Sequence, residues 1–255
     1  MRLPNAKAIY EYAALCFGLA FLAVLCIVWS VQAVGLRWFL PERLARRLGR
    51  WVIMAGFRLY LAVLDAIGAC RFDLAALDAL RHEPALIIAP NHPGLLDAVM
   101  ILSRLPDVAC ILKASLMDNL LFGAGARLAR YIRNDKGHAM IKRAVRELGA
   151  GNHLLLFPEG TRTTRPPVNA FKGGTGLIAH HAGIPVQTVF IEADSPFLGK
   201  HWPLLRRPDL PIVYRVRLGR RFGPPEDIRA FTQELESYFA AELGLAHAQH
   251  PPGHT

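Results

Sequence analysis

From Tyr12 to Leu36 the chain runs for 25 residues without a charged side chain. A helix of that length, rising 1.5 Å per residue, reaches across the ~30 Å hydrocarbon core of a bilayer. A cleaved leader would carry a shorter apolar core followed by a small-x-small site. Here the run gives way to the bulky "LRWFLPERL". The sequence therefore predicts an uncleaved N-terminal anchor, with a buried core helix as the alternative. Arg37, Arg43, Arg46, Arg47 and Arg50 follow, opposed only by Glu42, while Arg2 and Lys7 stand against Glu11 on the other side. The positive-inside rule then places everything after residue 36 in the cytosol, at the inner (cytoplasmic) membrane. The next apolar stretch, Trp51–Cys70, contains Arg58 and Asp65. At about 2.5–3.5 kcal/mol per charge at the bilayer centre, a second span is disfavoured. A helix lying in the interface, with the arginine collar toward anionic headgroups, is the expectation; an ordinary amphipathic packing helix is the alternative.

Composition agrees with a lipid-facing chain. The hydrophobic fraction is 53%, and the formal net charge of +10 favours a negatively charged partner: nucleic acid, an anionic membrane or a phosphorylated substrate. The basic collar beside the apolar run favours membrane lipids as the partner, and no nucleic-acid-binding signature is present. Cys16, Cys26, Cys70 and Cys110 are scattered without metal-ligand or disulfide spacing, so no metal site is expected of them. His180 and His181 are neighbours on a predicted helix and point apart, which argues against them as a metal pair.

From about Phe72 the pattern changes. "ALIIAP", "VACILK", "HLLLFP", "PVQTVFIE" and "IVYRVRLG" read as strands, and "LLDAVMILSRL", "MIKRAVRELGAG" and "GGTGLIAHHAG" read as helices between them. That alternation predicts an α/β fold: a mostly parallel central sheet flanked by helices, with the N-terminal helical anchor attached. The expected organisation is an anchor and interfacial helix over 1–70, a catalytic domain over 71–244, and a disordered tail over 245–255.

Two polar interruptions fall at predicted strand ends, where sites assemble in such folds. In "PNHPGLLDAVMIL", Asn91 and His92 follow one strand, and Asp97 stands five residues beyond His92 at a helix start. A histidine can take a proton near neutral pH once a carboxylate fixes its tautomer through the second ring nitrogen. Pro93-Gly94 supplies a turn that lets Asp97 reach back. No G-x-S-x-G elbow is present, so the substrate would supply the nucleophile: a hydroxyl activated by His92. The second interruption, "LLLFPEGTRTT", puts Glu159 in a Pro/Gly turn beside Arg162, and "FKGG" adds Lys172. Cationic side chains beside glycine-rich backbone suit a phosphate, and a solvated basic surface is the alternative.

On these residues the chain resembles the glycerolipid acyltransferase superfamily, which includes the 1-acylglycerol-3-phosphate acyltransferases. "NHPGLLD" is similar to that family's N-H-x4-D block, "FPEGTRT" to its third block and "GIPVQTVFI" to its fourth. The resemblance implies direct transfer of a fatty acyl group from an acyl thioester, acyl-CoA or acyl carrier protein, to the hydroxyl of a lysoglycerolipid. His92 and Asp97 would be catalytic; Asn91, Arg133, Glu159, Gly160, Thr161, Arg162 and Lys172 would bind substrate. No cofactor or metal is implied. The second block, usually G-x-I-F-I-D-R, is altered to "LARYIRND". Aligning Tyr131-Ile132 with Phe-Ile puts Arg133 at the Asp position; shifting by one restores the arginine and breaks the aromatic match. The acceptor is therefore either 1-acylglycerol-3-phosphate or a lysolipid without that phosphate, such as a lyso-aminolipid.

Overall fold

The computed structural model describes residues 5–119, 122–134 and 137–249. Two long helices open the chain: α1 (Ala6–Phe39), capped by the Asn5 side chain, and α2 (Glu42–Ala66), which starts just after Leu40-Pro41 breaks the first. Then follow β1 (Cys70–Asp73), a 3-10 turn (Ala75–Leu80), β2 (Ile87–Pro90), α3 (Asp97–Arg104), β3 (Val108–Lys113), α4 (Ala114–Met117), α5 (Gly123–Leu128) and β4 (Ile132–Asn134). The chain continues with α6 (His138–Gly149), β5 (His153–Leu155), α7 (Gly174–Ala182), β6 (Val186–Ala193), β7 (Ile212–Phe222) and α8 (Ile228–Gln249).

The seven strands form one sheet in the order β1-β7-β6-β2-β5-β3-β4. Every pairing is parallel except β6 with β7. Helices cover both faces, so the middle strands carry apolar residues on both sides, as parallel strands must. β2 shows this residue by residue. Ile88 joins the core beneath α2 and α3, whereas Ile87 and Ala89 join the core beneath α6, α7 and α8. The short strands β1 and β4 sit at the two edges; neither carries enough alternating apolar sequence to announce itself. At the other end of the chain, α8 carries helix to Gln249 and so corrects the tail expected to begin at 245; residues 250–255 lie outside the described residues.

α1 is long and apolar enough to cross a bilayer by length and composition, yet it packs on the α/β domain near both ends. Toward its start, the Tyr10 hydroxyl donates to Ile67 O, Glu11 accepts from Leu210 N, and Gly18 lies against Leu64. Toward its end, Trp29 lies against Gly125 and Ala33 packs with Leu128. The face turned away is apolar, with Ile9, Val24, Val31, Val34, Trp38 and Phe39 exposed. The arginine collar divides. Arg50 is buried, donating to Ala129 O and Glu147, and Arg46 also pairs with Glu147. Those two correct the collar's expected outward orientation, because α2 presses close to the α5–β4 turn: a Cβ on Gly49 would come within 2.8 Å of Ala129 N. Arg37, Arg43 and Arg47 remain exposed.

Candidate active site at the carboxyl ends of the central strands

β2 lies between β5 and β6, so the turn leaving it emerges at the middle of the sheet. Asn91 extends the ladder beyond the strand: its Nδ2 donates to Ile191 O at 2.9 Å and its Oδ1 accepts from Ile191 N at 2.7 Å. With its amide engaged on β6 and the residue buried, Asn91 braces the turn.

His92 Nδ1 lies 2.8 Å from Asp97 Oδ2, and the same oxygen accepts from Gly94 N at 2.8 Å. The turn does not use a left-handed glycine: Gly94 has no positive φ, and its contribution is the N–H aimed at the carboxylate. Asp97, the first residue of α3, is fully buried. Burial pushes its carboxyl above the usual carboxylate range, while the His92 ring and the Gly94 N–H pull the other way. A carboxylate on Nδ1 fixes the proton there and leaves Nε2 as the basic nitrogen. No described residue hydrogen-bonds Nε2. One face of the ring stacks on Phe157, with centroids 3.9 Å apart, which limits ring rotation.

The second motif residue, Glu159, leaves β5 beside this turn. Its Oε1 accepts from His92 N at 3.0 Å and from the Thr163 hydroxyl at 2.8 Å, and its Oε2 accepts from Asn169 N at 2.9 Å. In the other direction, Thr163 N donates to His92 O at 2.7 Å. Glu159 is 1% exposed with both oxygens occupied, so it ties the two motif turns together. Arg162 is partly engaged: Nη1 donates to Leu198 O and Gly199 O at 2.8 and 2.9 Å. Gly160 sits at φ +66° and is overlain by the Lys172 side chain, whose Nζ would lie 2.8 Å from a Cβ there. Thr161 is half-buried and Lys172 exposed, so both remain open to a ligand.

Arg133 is elsewhere. It lies on edge strand β4, three strands from β2 and thus about 14 Å across the sheet. There it pairs with Asp118, whose carboxyl this contact holds below the usual range. Sequence reasoning missed Phe157, Thr163 and Asn169. Thr163 had a legible signal, four residues beyond a buried glutamate in a tight turn. Asn169, whose side chain also binds Thr164 N and Arg162 O, looks like any other turn asparagine in "TRPPVNAF". Among the described residues no cluster of His, Cys, Asp and Glu could hold a metal ion.

A histidine fixed by a buried carboxylate, at the end of a central strand and with no described Ser or Cys hydrogen-bonded to it, has the chemistry to take a proton from a hydroxyl supplied from outside. Residues 71–192 match the Acyltransferase family model. The chain carries an acyltransferase domain over those residues, just under half of its length, and resembles the glycerolipid acyltransferase superfamily. It is 22% identical over 232 residues to the 1-acyl-sn-glycerol-3-phosphate acyltransferase of Pseudomonas aeruginosa, covering 87% of each chain. It is 31% identical over 168 residues to the lyso-ornithine lipid O-acyltransferase of the same organism, covering 61% of this chain and 60% of that one. The fold matches the crystal structure of the 1-acyl-sn-glycerophosphate acyltransferase from Thermotoga maritima with a TM-score of 0.73 at 17% identity, over 95% of this chain and 98% of that one.

Proposed function

We propose that the protein transfers a fatty acyl group from an acyl thioester, acyl-CoA or acyl carrier protein, to the free hydroxyl of a lysoglycerolipid held in a membrane. The observation that carries this reading is the His92–Asp97 pair with Nε2 unengaged. The acceptor hydroxyl gives its proton to Nε2 as its oxygen attacks the thioester carbonyl. The C–S bond then breaks, and the departing thiolate takes the proton back from the imidazolium. Asp97 keeps Nδ1 protonated and balances the transient positive charge. No cofactor or metal is required by this sequence of steps.

α1 supports membrane attachment. Because α1 packs on the domain near both ends, it would lie along the bilayer surface with its exposed apolar face inserted; crossing the bilayer would pull the domain in with it. The exposed Arg37, Arg43 and Arg47 would meet anionic headgroups of the cytosolic leaflet.

The first acceptor choice is 1-acylglycerol-3-phosphate, with Lys172, Thr161 and the remaining Arg162 donors about its phosphate. The second is a lyso-aminolipid, favoured by the position of Arg133 at the sheet edge and by the likeness to a lyso-ornithine lipid acyltransferase. The test is acyl transfer from palmitoyl-CoA, and from palmitoyl carrier protein, to a panel of lysolipids, wild type beside His92→Ala. Losing the general base should lower transfer by about 10²–10⁴. Full transfer by His92→Ala would sink the mechanism, and the preferred lysolipid decides between the two acceptors.

A further inference from the structure

Among the exposed large apolar side chains, most lie on α1 and α2, but Leu204 and Leu205 stand out on the long β6–β7 connection, 53% and 67% exposed. They are not on a slack loop. Arg206 N donates to Pro203 O at 2.9 Å, closing a tight turn with the two leucines at its tip. Trp202 Nε1 donates to Arg206 O, and the Arg206 guanidinium lies 4.6 Å over the Trp202 ring. Trp202 in turn packs edge-on against Phe197. A pair of leucines held outward by a braced turn, flanked by Lys200, Arg206 and Arg207, has the chemistry of a membrane-inserting tip: apolar at the point, cationic at the shoulders, with an indole between.

Both flanks of this turn are fastened to features already described. On one side, Glu11 of α1 accepts from Leu210 N and pairs with Arg207, and Lys7 pairs with Asp209. The tip is thus continuous with the apolar helix. On the other side, Leu198 O accepts from both Arg162 Nη1 and Leu95 N, the latter in the turn that carries His92. Between the two flanks, Phe197, Leu198, Pro208 and Leu210 form one wall of a small apolar cavity of about 30 Å³; Leu96 and α1 residues Ala14 and Gly18 line it elsewhere.

We propose that Leu204 and Leu205 insert into the headgroup–acyl boundary of an anionic bilayer, and that the 197–210 strap thereby couples membrane contact to the catalytic turn. This rests on the lysolipid acyltransferase reading, and adds to it a second membrane contact beside that of α1, next to the chemistry.

The experiment uses the full chain with vesicles of phosphatidylethanolamine and phosphatidylglycerol. In a Cys16→Ser/Cys26→Ser background, Leu205→Cys is labelled with an environment-sensitive fluorophore. A blue-shifted emission on vesicle binding, quenched by lipids spin-labelled near the headgroup, is the expected result. An emission that does not move overturns the proposal. This readout needs no catalysis, so it stands or falls separately from the activity. Leu204→Asp/Leu205→Asp is the second arm. Acceptor KM in vesicles should rise roughly tenfold or more, with kcat on a dissolved short-chain lysolipid within about twofold of wild type. An equal loss on both acceptors would make the tip part of the catalytic turn's folding. A loss seen only with carrier-protein donors would make it a protein dock. Either overturns the membrane assignment.

Discussion

The turn after β2 and the strand end of β4 carry two blocks of the same sequence signature, and the structure treats them oppositely. The β2 turn is at the centre of the sheet, and its braces, Asn91, Asp97 and Glu159, are buried with bonds to strand β6, His92 and the neighbouring motif turn. Nothing in it can shift without breaking several of those bonds. The β4 block is at the edge, its Arg133 bound to an exposed aspartate, and residues 135–136 just beyond lie outside the described structure. On the proposed function, proton transfer would belong to the over-braced centre, and the edge block would be the place where acceptor choice can vary.

If the centre is built for one protonation pattern, Asp97→Asn should damage chemistry without damaging the fold. An amide oxygen in the Oδ2 place can still accept from both Gly94 N and His92 Nδ1, but the uncharged amide no longer balances the imidazolium formed when Nε2 takes a proton. We expect kcat to fall by about 10²–10⁴ with acceptor KM little changed. The thermal midpoint near neutral pH should stay at or above that of wild type. The sign follows from linkage: a carboxyl pushed up by burial binds protons more tightly folded than unfolded, so its ionisation weakens the fold as pH rises. A midpoint several degrees lower would show that the carboxylate serves the fold as well.

The same contrast explains what could be read from the sequence. His92, Asp97 and the strand before them were legible because an apolar run ending in a polar quartet has few physical explanations. The parallel sheet was legible for the same reason: β2, β3 and β6 are apolar runs bounded by turn residues. The partners of Glu159 were not. A carboxylate next to arginine and glycine looks like a ligand contact, and only three dimensions show Thr163, Asn169 and the His92 N–H filling its oxygens. Arg50 misled in a similar way, since a run of arginines after an apolar helix gives no hint that one reaches inward to Glu147. β1 and β4 read CRFD and IRN, and with charged residues inside them neither forms the apolar run that announced β2 and β5.

Arg133→Ala sharpens the comparison from the rim. Its partner Asp118 is exposed, and such pairs contribute little to stability, so the thermal midpoint should not move measurably. If the edge block reads a phosphate, KM for 1-acylglycerol-3-phosphate should rise about tenfold, the scale of one lost charge-assisted contact, with kcat preserved. An unchanged KM on that lipid, with wild-type discrimination across the lysolipid panel, would remove Arg133 from the acceptor site altogether.

The smallest effect lies at the opposite end of the central strand β5 from Glu159. His153 is buried there, its Nδ1 accepting from Leu86 N at 3.2 Å and its Nε2 donating to Leu80 O at 3.0 Å. Burial holds its pKa below the ordinary value near 6.5, and the Leu86 N–H needs Nδ1 bare, whereas the Leu80 carbonyl pulls the other way. The unfolded chain therefore binds the extra proton first. Stability should fall as pH drops below about 6.5, by at most ~1.4 kcal/mol per pH unit, and level off once the folded ring also protonates. His153→Gln keeps an acceptor and a donor in the same region without a titrating group, so its midpoint should lose less than wild type between about pH 7 and pH 5. Parallel pH profiles would show that the amino end of β5 tolerates charge, and would leave the proposed demand for a fixed protonation state to the carboxyl edge of the sheet, where His92 follows β2.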